Sequence, residues 1–272
     1  MELQMCDKSL NLKKSEYLRN RFLIILEERR PGYTYYELLV FLSNVVGALY
    51  MVTRKLAEAE INILMGMHTH HKEEGIWISF IEVPESVSVE KTLEEISSLN
   101  VVSGLKYQKM ERADIFDKFL FPLSLFDRRM VAITDYMYHS LKKAIMDVLK
   151  SGGETMMYMQ GQSLGEGAIN VFKERFREEL TSEEDALHLV KDTFRAFGWG
   201  IIEFQGINPR AKTGSIIIDE SMEYTESSKI KCHFLRGLVT GALRKIFNDE
   251  TIKLVEVKCK SEGAPYCEFH FV

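Results

Sequence analysis

Three of the four cysteines in this chain lie near its C-terminal end, and no other feature constrains the fold of that region as strongly. They are Cys232, Cys259 and Cys267, and Glu256 precedes Cys259 by three residues. Zinc binds four ligands in a tetrahedron, usually cysteine sulfur and histidine nitrogen, and accepts a carboxylate as one of the four. The three cysteines together with Glu256 therefore predict a metal site.

The residues on either side of Cys259 predict a β-hairpin. Residues 251–257 alternate apolar and polar side chains, as do residues 268–272, and this alternation is typical of strands. Residues 261–265, between them, contain the serine, glycine and proline that favour a turn. Such a hairpin would bring Cys259 and Cys267 together.

Cys232 is predicted to stand at the start of a helix. Residues 232–247 carry apolar side chains at helical spacing. The positive end of a helix dipole favours a thiolate, so this position suits a metal ligand. A metal bound there would pin the helix to the hairpin.

Two other interpretations of the cysteines remain open from the residues alone. Free cysteines are commonly buried as small apolar side chains. A disulfide between Cys259 and Cys267 is the second alternative, and Cys6 would make two pairs conceivable. The N-terminal residues lack the apolar segment of a signal peptide, which argues against an oxidising compartment.

The same region carries a resemblance to a known family. Residues 232–243 (CHFLRGLVTGAL), 255–259 (VEVKC) and 262–269 (EGAPYCEF) resemble the end of a 4-vinyl-reductase (4VR) domain. That family includes the effector-sensing domains of phenol-responsive transcription regulators and accessory proteins of bacteriochlorophyll synthesis.

The resemblance implies zinc as a cofactor, with the ligands Cys232, Glu256, Cys259 and Cys267. A set of three cysteines and one glutamate fills the tetrahedral shell and leaves no open position for water or substrate. The implied zinc is therefore structural, and a catalytic zinc would require Glu256 to leave. We assign no catalytic residue and no other cofactor-binding residue, and the interpretation leans away from an enzyme.

The resemblance also implies a mixed α/β sensor domain that encloses a small hydrophobic or aromatic ligand, often as a homodimer. Methionine and aromatic side chains suit such a pocket because methionine adapts to irregular apolar shapes. The alternative is that these residues are ordinary core. The candidate pocket residues are Met130, Met137, Met156, Met157, Met159, Trp199, Phe204 and Met222.

Length and composition limit the classes of function that we consider. The chain has 272 residues, of which 46% are hydrophobic, which is enough for two domains with cores of their own. Its net charge is -5, so direct nucleic-acid binding is not expected, and the most basic section, residues 13–30, is interpreted as a solvated element. No apolar run is long enough to cross a bilayer, so we expect a cytoplasmic protein without a membrane partner.

The N-terminal half predicts a second type of domain. Hydrophobic patterning predicts strand, helix, strand, strand, helix and strand in that order, a ferredoxin-like βαββαβ unit. Residues 39–49 and 57–63 resemble an ACT domain, a regulatory module that often binds amino acids at dimer interfaces. Gly47 fits the family's close turn, but Asn44 and Val46 stand where the family commonly has Asp and Pro, so a structural or dimerising role is the alternative.

The predicted fold class is therefore α+β, with three parts. Residues 1–32 form an N-terminal extension, residues 33–112 an ACT-like regulatory or dimerisation domain, and residues 113–272 a 4VR-like ligand-binding domain of mixed α/β type that holds the zinc site. His68, His70 and His71 are expected in a solvated hairpin loop of the first domain rather than in a metal site.

Two predictions concern the helices of the second domain. A helix over residues 132–150 has an apolar stripe that includes Met137, Leu141 and Val148, and Ser151-Gly152-Gly153 is expected to end it. In a helix over residues 154–176, glycines are costly unless another backbone packs closely against them. Its three glycines, Gly161, Gly165 and Gly167, therefore predict close helix packing.

We conclude from the sequence that the chain is a two-domain regulatory protein that senses or binds a small molecule. One alternative is an enzyme or enzyme accessory that acts on a tetrapyrrole or aromatic substrate. A third is an assembly subunit, since the 4VR fold is similar to that of vesicle-tethering complex subunits.

Overall fold

A computed structural model gives the fold of most of the chain. It describes residues 29–71, 73–110, 119–120, 123–125, 128–208, 210–211, 213–226 and 230–272, together with the backbone of residues 25–26 and 114–115. Most of the predicted N-terminal extension, including residues 1–24, lies outside the described residues.

The chain divides into two compact units, Met1–Met130 and Val131–Val272. The sequence placed the boundary earlier, between residues 112 and 113. None of the described helices is long and apolar enough to cross a membrane.

The described elements of the first unit are eight strands and two helices. In chain order they are β1 (Ile25–Leu26), β2 (Tyr33–Ser43), α1 (Ala48–Glu58), β3 (Asn62–His71), β4 (Glu74–Pro84), α2 (Val89–Ser97), β5 (Val102–Lys109), β6 (Asp114–Ile115), β7 (Ser124–Leu125) and β8 (Arg128–Arg129).

Four of these strands form a ferredoxin-like sheet in the order β3-β4-β2-β5, and all of its pairs are antiparallel. The alternate residues Leu38 and Val40 of β2 pack in one core with Val52 of α1 and Leu93 of α2. Strand β4 lies inside the sheet, as its continuous apolar sequence predicts. Gly47 has φ 87° and begins α1, which confirms the predicted close turn.

The histidines of the first unit lie in a strand, so the predicted hairpin loop is wrong. His68 and His70 belong to β3 and pair with Trp77 and Gly75 of β4. Pairing continues to the last residue of β3, so the histidines complete the ladder instead of forming a loop.

The second unit contains four helices and four strands among its described residues. They are α3 (Asp135–Leu149), α4 (Ser151–Arg175), α5 (Glu183–Phe197), β9 (Ile201–Asn208), β10 (Thr213–Asp219), α6 (His233–Phe247), β11 (Leu254–Lys258) and β12 (Cys267–Phe271), with a short 3-10 helix, Lys260–Glu262.

The break between α3 and α4 is sharper than the sequence predicts. Lys150 alone separates the two helices and has a positive φ of 51°. Gly152 and Gly153, which were expected to end the first helix, lie in the first turn of the second.

The strands of the second unit form an antiparallel sheet in the order β11-β12-β10-β9. Ile216 of β10 pairs with Phe269 of β12, and Phe269 pairs with Glu256 of β11. Paired residues of neighbouring strands point to the same face. Glu256 therefore faces the same interior as Ile216 and Phe269, both of which are fully buried.

Helices α4 and α6 meet through glycines on both partners. A methyl group on Gly161 or Gly165 would collide with the carbonyl oxygen of Phe234 or Leu238, respectively, in α6. Reciprocally, a methyl group on Gly237 of α6 would collide with a carbonyl oxygen of α4. Close packing is thus confirmed at Gly161 and Gly165. It does not extend to Gly167, where an added methyl group would meet nothing within 4 Å.

Candidate metal centre

Cys232 occupies the N-cap position of α6, as predicted. Its side chain makes no capping hydrogen bond to the helix. Instead, its sulfur lies 3.4 Å from the sulfur of Cys267, the first residue of β12. Both side chains are buried.

The other two members of the cluster come from the end of the hairpin. Glu256 lies on β11, and Cys259 stands just before the 3-10 helix. The ladder between β11 and β12 is irregular between Glu256 and Lys258, and this irregularity changes the direction of the chain before Cys259. The predicted turn thus brings Cys259 and Cys267 to one place.

The four potential ligand atoms of Cys232, Glu256, Cys259 and Cys267 all lie within 4.8 Å of one another. In a tetrahedral zinc site with zinc–sulfur bonds of about 2.3 Å, neighbouring sulfur atoms are about 3.8 Å apart. The cluster has the size of such a site. Among the described residues it is the one group of at least three histidine, cysteine or acidic side chains that could hold a metal ion, and neither His68 nor His70 belongs to such a group.

A buried oxygen of Glu256 supports a cation at this position. Glu256 Oε1 is buried and has no hydrogen-bond partner. Burial raises the pKa of this carboxyl to about 8, because the charged form loses its contact with water. A metal ion would satisfy the lone oxygen and favour the ionised form, so the residues fit a divalent cation.

The thiols favour unequal protonation states. Hydrogen bonds with Cys232 and Cys267 lower the pKa of Cys259, and Ser261 Oγ lies 3.0 Å from the Cys259 sulfur. The hydrogen bond with Cys259 raises the pKa of Cys232, so its thiol keeps its proton. One thiolate is thus stabilised by its neighbours, and all three cysteines are free thiols rather than members of a disulfide.

The sequence did not identify a set of buried polar residues beside the cluster. Lys142 and Tyr138 of α3 both contact the carboxylate of Glu223. Ser221 lies between that carboxylate and Cys232, since its hydroxyl is 3.5 Å from the Cys232 sulfur and accepts the Glu223 N–H. The four-residue spacing of Tyr138 and Lys142 would place them on one helix face, but the apolar stripe beside them gave the stronger signal.

The predicted apolar stripe of α3 points away from the interior. Met137, Leu141 and Val148 are 55%, 59% and 78% exposed, respectively. The buried side chains of α3 are instead Tyr138 and Lys142. The prediction failed because a buried lysine can replace an apolar residue when a carboxylate neutralises it.

The candidate pocket residues lie at several different places. Met137, Met156 and Met159 are exposed on α3 and α4, whereas Met157 is buried in α4. Met130, Trp199 and Met222 are half-buried, and Trp199 packs against the rings of Phe194 and Phe197.

Phe204 lines a cavity of about 350 Å³. None of the other candidate pocket residues lines it, so within the described part of the chain they do not share this cavity. The cavity is bordered by Glu183, Glu184, Leu187, His188, Lys191, Phe204, Ile207 and Phe247.

The second unit is thus a mixed α/β domain that closes with a buried cluster of three cysteines and one glutamate. Residues 218–272, which contain the whole cluster, match the vinyl-4-reductase (4VR) domain family. The resemblance seen in the sequence is confirmed for this segment. No curated protein matches the chain.

Several solved structures are similar to the chain. The phenol-responsive sensory domain of the transcription activator PoxR, solved with phenol, has 18% identity and a TM-score of 0.46, and the match covers 54% of this chain and 78% of that one. A vinyl-4-reductase family protein from Methanocaldococcus jannaschii has 22% identity and a TM-score of 0.37, with coverages of 53% and 83%. A trafficking protein particle complex subunit 3 from Naegleria fowleri, bound covalently to palmitic acid, has 15% identity and a TM-score of 0.38, with coverages of 51% and 92%.

Proposed function

We propose that the second unit is a zinc-containing domain that binds a small hydrophobic or aromatic molecule, and that the chain is a regulatory protein. The observation that carries this proposal is the cluster of Cys232, Glu256, Cys259 and Cys267, whose potential ligand atoms lie within 4.8 Å of one another. The match of the surrounding residues to the 4VR domain supports it.

The proposed zinc has a structural role. Three thiolates and a carboxylate complete its coordination shell, so the bound ion would link the start of α6 to the β11–β12 hairpin. Cys232 holds the helix end of this link, and Cys259 and Cys267 hold the hairpin end. The site then stabilises the domain rather than presenting an open coordination position to a substrate.

The cavity beside Phe204 is the proposed ligand site. Its volume of about 350 Å³ is in the range of small-molecule pockets. Leu187, Ile207 and Phe247 give it an apolar wall, and His188 and Lys191 supply polar groups at the same cavity. An aromatic ring with one polar substituent fits this combination.

The exposed apolar side chains of α3 and α4 support a homodimer. Met137 and Leu141 of α3 are exposed, as are Met156 and Met159 of α4. With 15 residues, α3 is about 22 Å long, and α4 is longer, so the two helices offer a surface that can approach the roughly 800 Å² per partner of a stable interface. The remaining methionines of the predicted pocket would then be covered by the second copy.

The first unit is proposed to be an ACT-like regulatory or dimerisation domain. Its ferredoxin-like sheet and the left-handed Gly47 at the start of α1 support this assignment. Fold alone does not define a ligand, so the proposal assigns no amino acid to this unit.

Native mass spectrometry of the full chain purified from its own host tests these proposals together. We expect a dimer with about one zinc ion per chain and an additional small-molecule mass. Cys259→Ser should lose the zinc, while Cys6→Ser, which changes the cysteine outside the cluster, should keep it. A fully folded wild-type protein without metal would contradict the structural zinc.

Titration with phenol as a probe tests the cavity separately. We expect Phe204→Ala to weaken phenol binding by about tenfold, because the ring is a large part of the apolar wall. Tyr50→Ala, which removes an exposed ring of the first unit, is the control. Equal binding by the two variants would move the ligand site elsewhere.

A further inference from the structure

Lys142 and Glu223 form an ion pair that is almost completely removed from solvent. Lys142 Nζ lies 3.1 Å from Glu223 Oε1, and the two side chains are 2% and 0% exposed. Burying two charges is costly unless all their hydrogen-bonding groups find partners. The pair therefore needs a reason beyond simple packing.

Every donor of the Lys142 ammonium has an acceptor. Besides the carboxylate, Nζ donates to the backbone oxygen of Glu223 at 3.3 Å and to the backbone oxygen of Lys231 at 3.0 Å. Both acceptors belong to the segment between β10 and α6, which ends at Cys232. Lys142 thus holds that segment against α3.

The Glu223 carboxylate caps α6 from outside the helix. Its Oε2 accepts the backbone N–H of Leu235, the third residue of α6, at 2.6 Å. That N–H is normally satisfied by the side chain of the N-cap residue. Here the N-cap residue is Cys232, whose sulfur contacts Cys267 instead and makes no capping bond.

The charge of Glu223 is unfavourable at this place unless it is compensated. Four anionic ligands around a divalent cation leave a metal centre with net negative charge. Ser221 links Glu223 to Cys232 by two contacts, of 3.2 Å to the Glu223 nitrogen and 3.5 Å to the cysteine sulfur, so a second negative charge lies close to the cluster. Lys142 supplies the opposite charge.

We infer that Glu223 replaces Cys232 as the cap of α6 and thereby frees the Cys232 sulfur for the metal, and that Lys142 neutralises this substitute cap. Both are positioning residues, because they act on the metal through Cys232. The inference rests on the proposed zinc site. It adds that the affinity for zinc is set by residues of α3 and of the β10–α6 segment as well as by the ligands.

A purely structural ion pair and a charge-compensating pair predict different metal affinities. If the pair only supports the fold, removing either charge weakens zinc binding in the same direction. If Lys142 compensates Glu223, Lys142→Met leaves an extra negative charge beside the anionic centre, and Glu223→Gln leaves an extra positive one. These two changes then move zinc affinity in opposite directions, although both destabilise the fold.

Competition with a chromophoric chelator on the full-length variants measures this difference. We expect Lys142→Met to weaken zinc binding by about 10- to 100-fold, Glu223→Gln to retain or increase affinity, and the double variant to lie within about threefold of wild type. Lys143→Met, an exposed neighbour on α3, is the matched control and should behave as wild type. Weakening of the same size in both single variants would overturn the charge-compensating role, and so would an unchanged affinity in Lys142→Met.

The absorption spectrum of the cobalt-substituted protein reports on Cys232 itself. We expect the thiolate-to-cobalt band to shift in Lys142→Met and to return towards the wild-type position in the double variant. A band that is unaffected in both variants would show that the pair does not act through the ligand.

Amide hydrogen exchange of Leu235 in the metal-free protein tests the cap without any metal. Glu223→Gln keeps an acceptor oxygen for this N–H, whereas Glu223→Ala removes it, so we expect exchange at least about tenfold faster in the alanine variant. Equal rates would overturn the cap. A wild-type protein that shows this protection but binds no zinc would disprove the proposed metal site and leave the cap intact.

Discussion

In the first unit, α1 and α2 cover the sheet with apolar side chains, whereas in the second unit α4 and α6 touch through their backbones. Leu38 and Val52 belong to a continuous apolar core in which each side chain fills space left by its neighbours. Gly161 and Gly237 instead leave room for carbonyl oxygens of the partner helix. The second unit further depends on a buried ion pair and on a cluster of potential metal ligands.

This difference determines which changes each unit tolerates. Apolar cores accept substitutions of similar volume, since the hydrophobic contribution depends mainly on the area buried. A glycine contact, a buried charge and a metal ligand each depend on one group at one position. The first unit should therefore respond to volume changes, and the second to changes of geometry, charge and metal supply.

Removal of metal should give the largest effect, and it should affect one unit alone. Metal present at about 1,000 times its dissociation constant stabilises a protein by about 4 kcal/mol, so a chelator should lower the stability of the second unit by about that amount. Hydrogen exchange resolved along the chain measures the two units separately. Equal loss of protection in the ferredoxin-like sheet would show that the two units do not differ in this way.

Leu38→Ala should reverse the pattern. Leu38 is fully buried in the core between the first sheet and its helices, so we expect a loss of about 3 kcal/mol from the first unit. Denaturant unfolding with fragment-resolved hydrogen exchange assigns the loss to one unit. Val46→Ala, which truncates an exposed side chain, should change the stability by less than about 0.5 kcal/mol.

Gly165→Ala should cost at least about 2 kcal/mol in the second unit, because the added methyl group collides with the Leu238 carbonyl and forces α4 and α6 apart. Gly167→Ala is the matched control on the same helix. Its added methyl group meets no neighbour, so helix propensity alone should stabilise the protein by about 0.5–1 kcal/mol. Thermal unfolding of the two variants should therefore shift in opposite directions, and a stabilised Gly165→Ala would refute the close helix contact.

Local patterns in the sequence were sufficient to predict most elements of the first unit. Strand β4 is continuously apolar and lies inside the sheet, and Gly47 marks the turn before α1. The histidines of β3 were misplaced because exposed edge positions carry polar side chains, which the pattern cannot distinguish from a loop.

The candidate metal centre was predictable because three of its members lie on one hairpin. The residues that surround it were not. Lys142 and Glu223 are 81 residues apart, and neither belongs to a local pattern that indicates burial. Their pairing depends on how α3 packs against the segment before α6, and periodicity within α3 gave the opposite face.

The reciprocal glycines also fix the axial register of α4 and α6. A shift of either helix along the other would bring ordinary side chains opposite the carbonyl oxygens that the glycines now accommodate. Sliding is therefore blocked, and the two helices must move as one rigid body. A small molecule that binds in this unit can displace Cys232 at the end of α6 only by tilting or rotating the pair, so α4 acts as a lever arm for the metal centre.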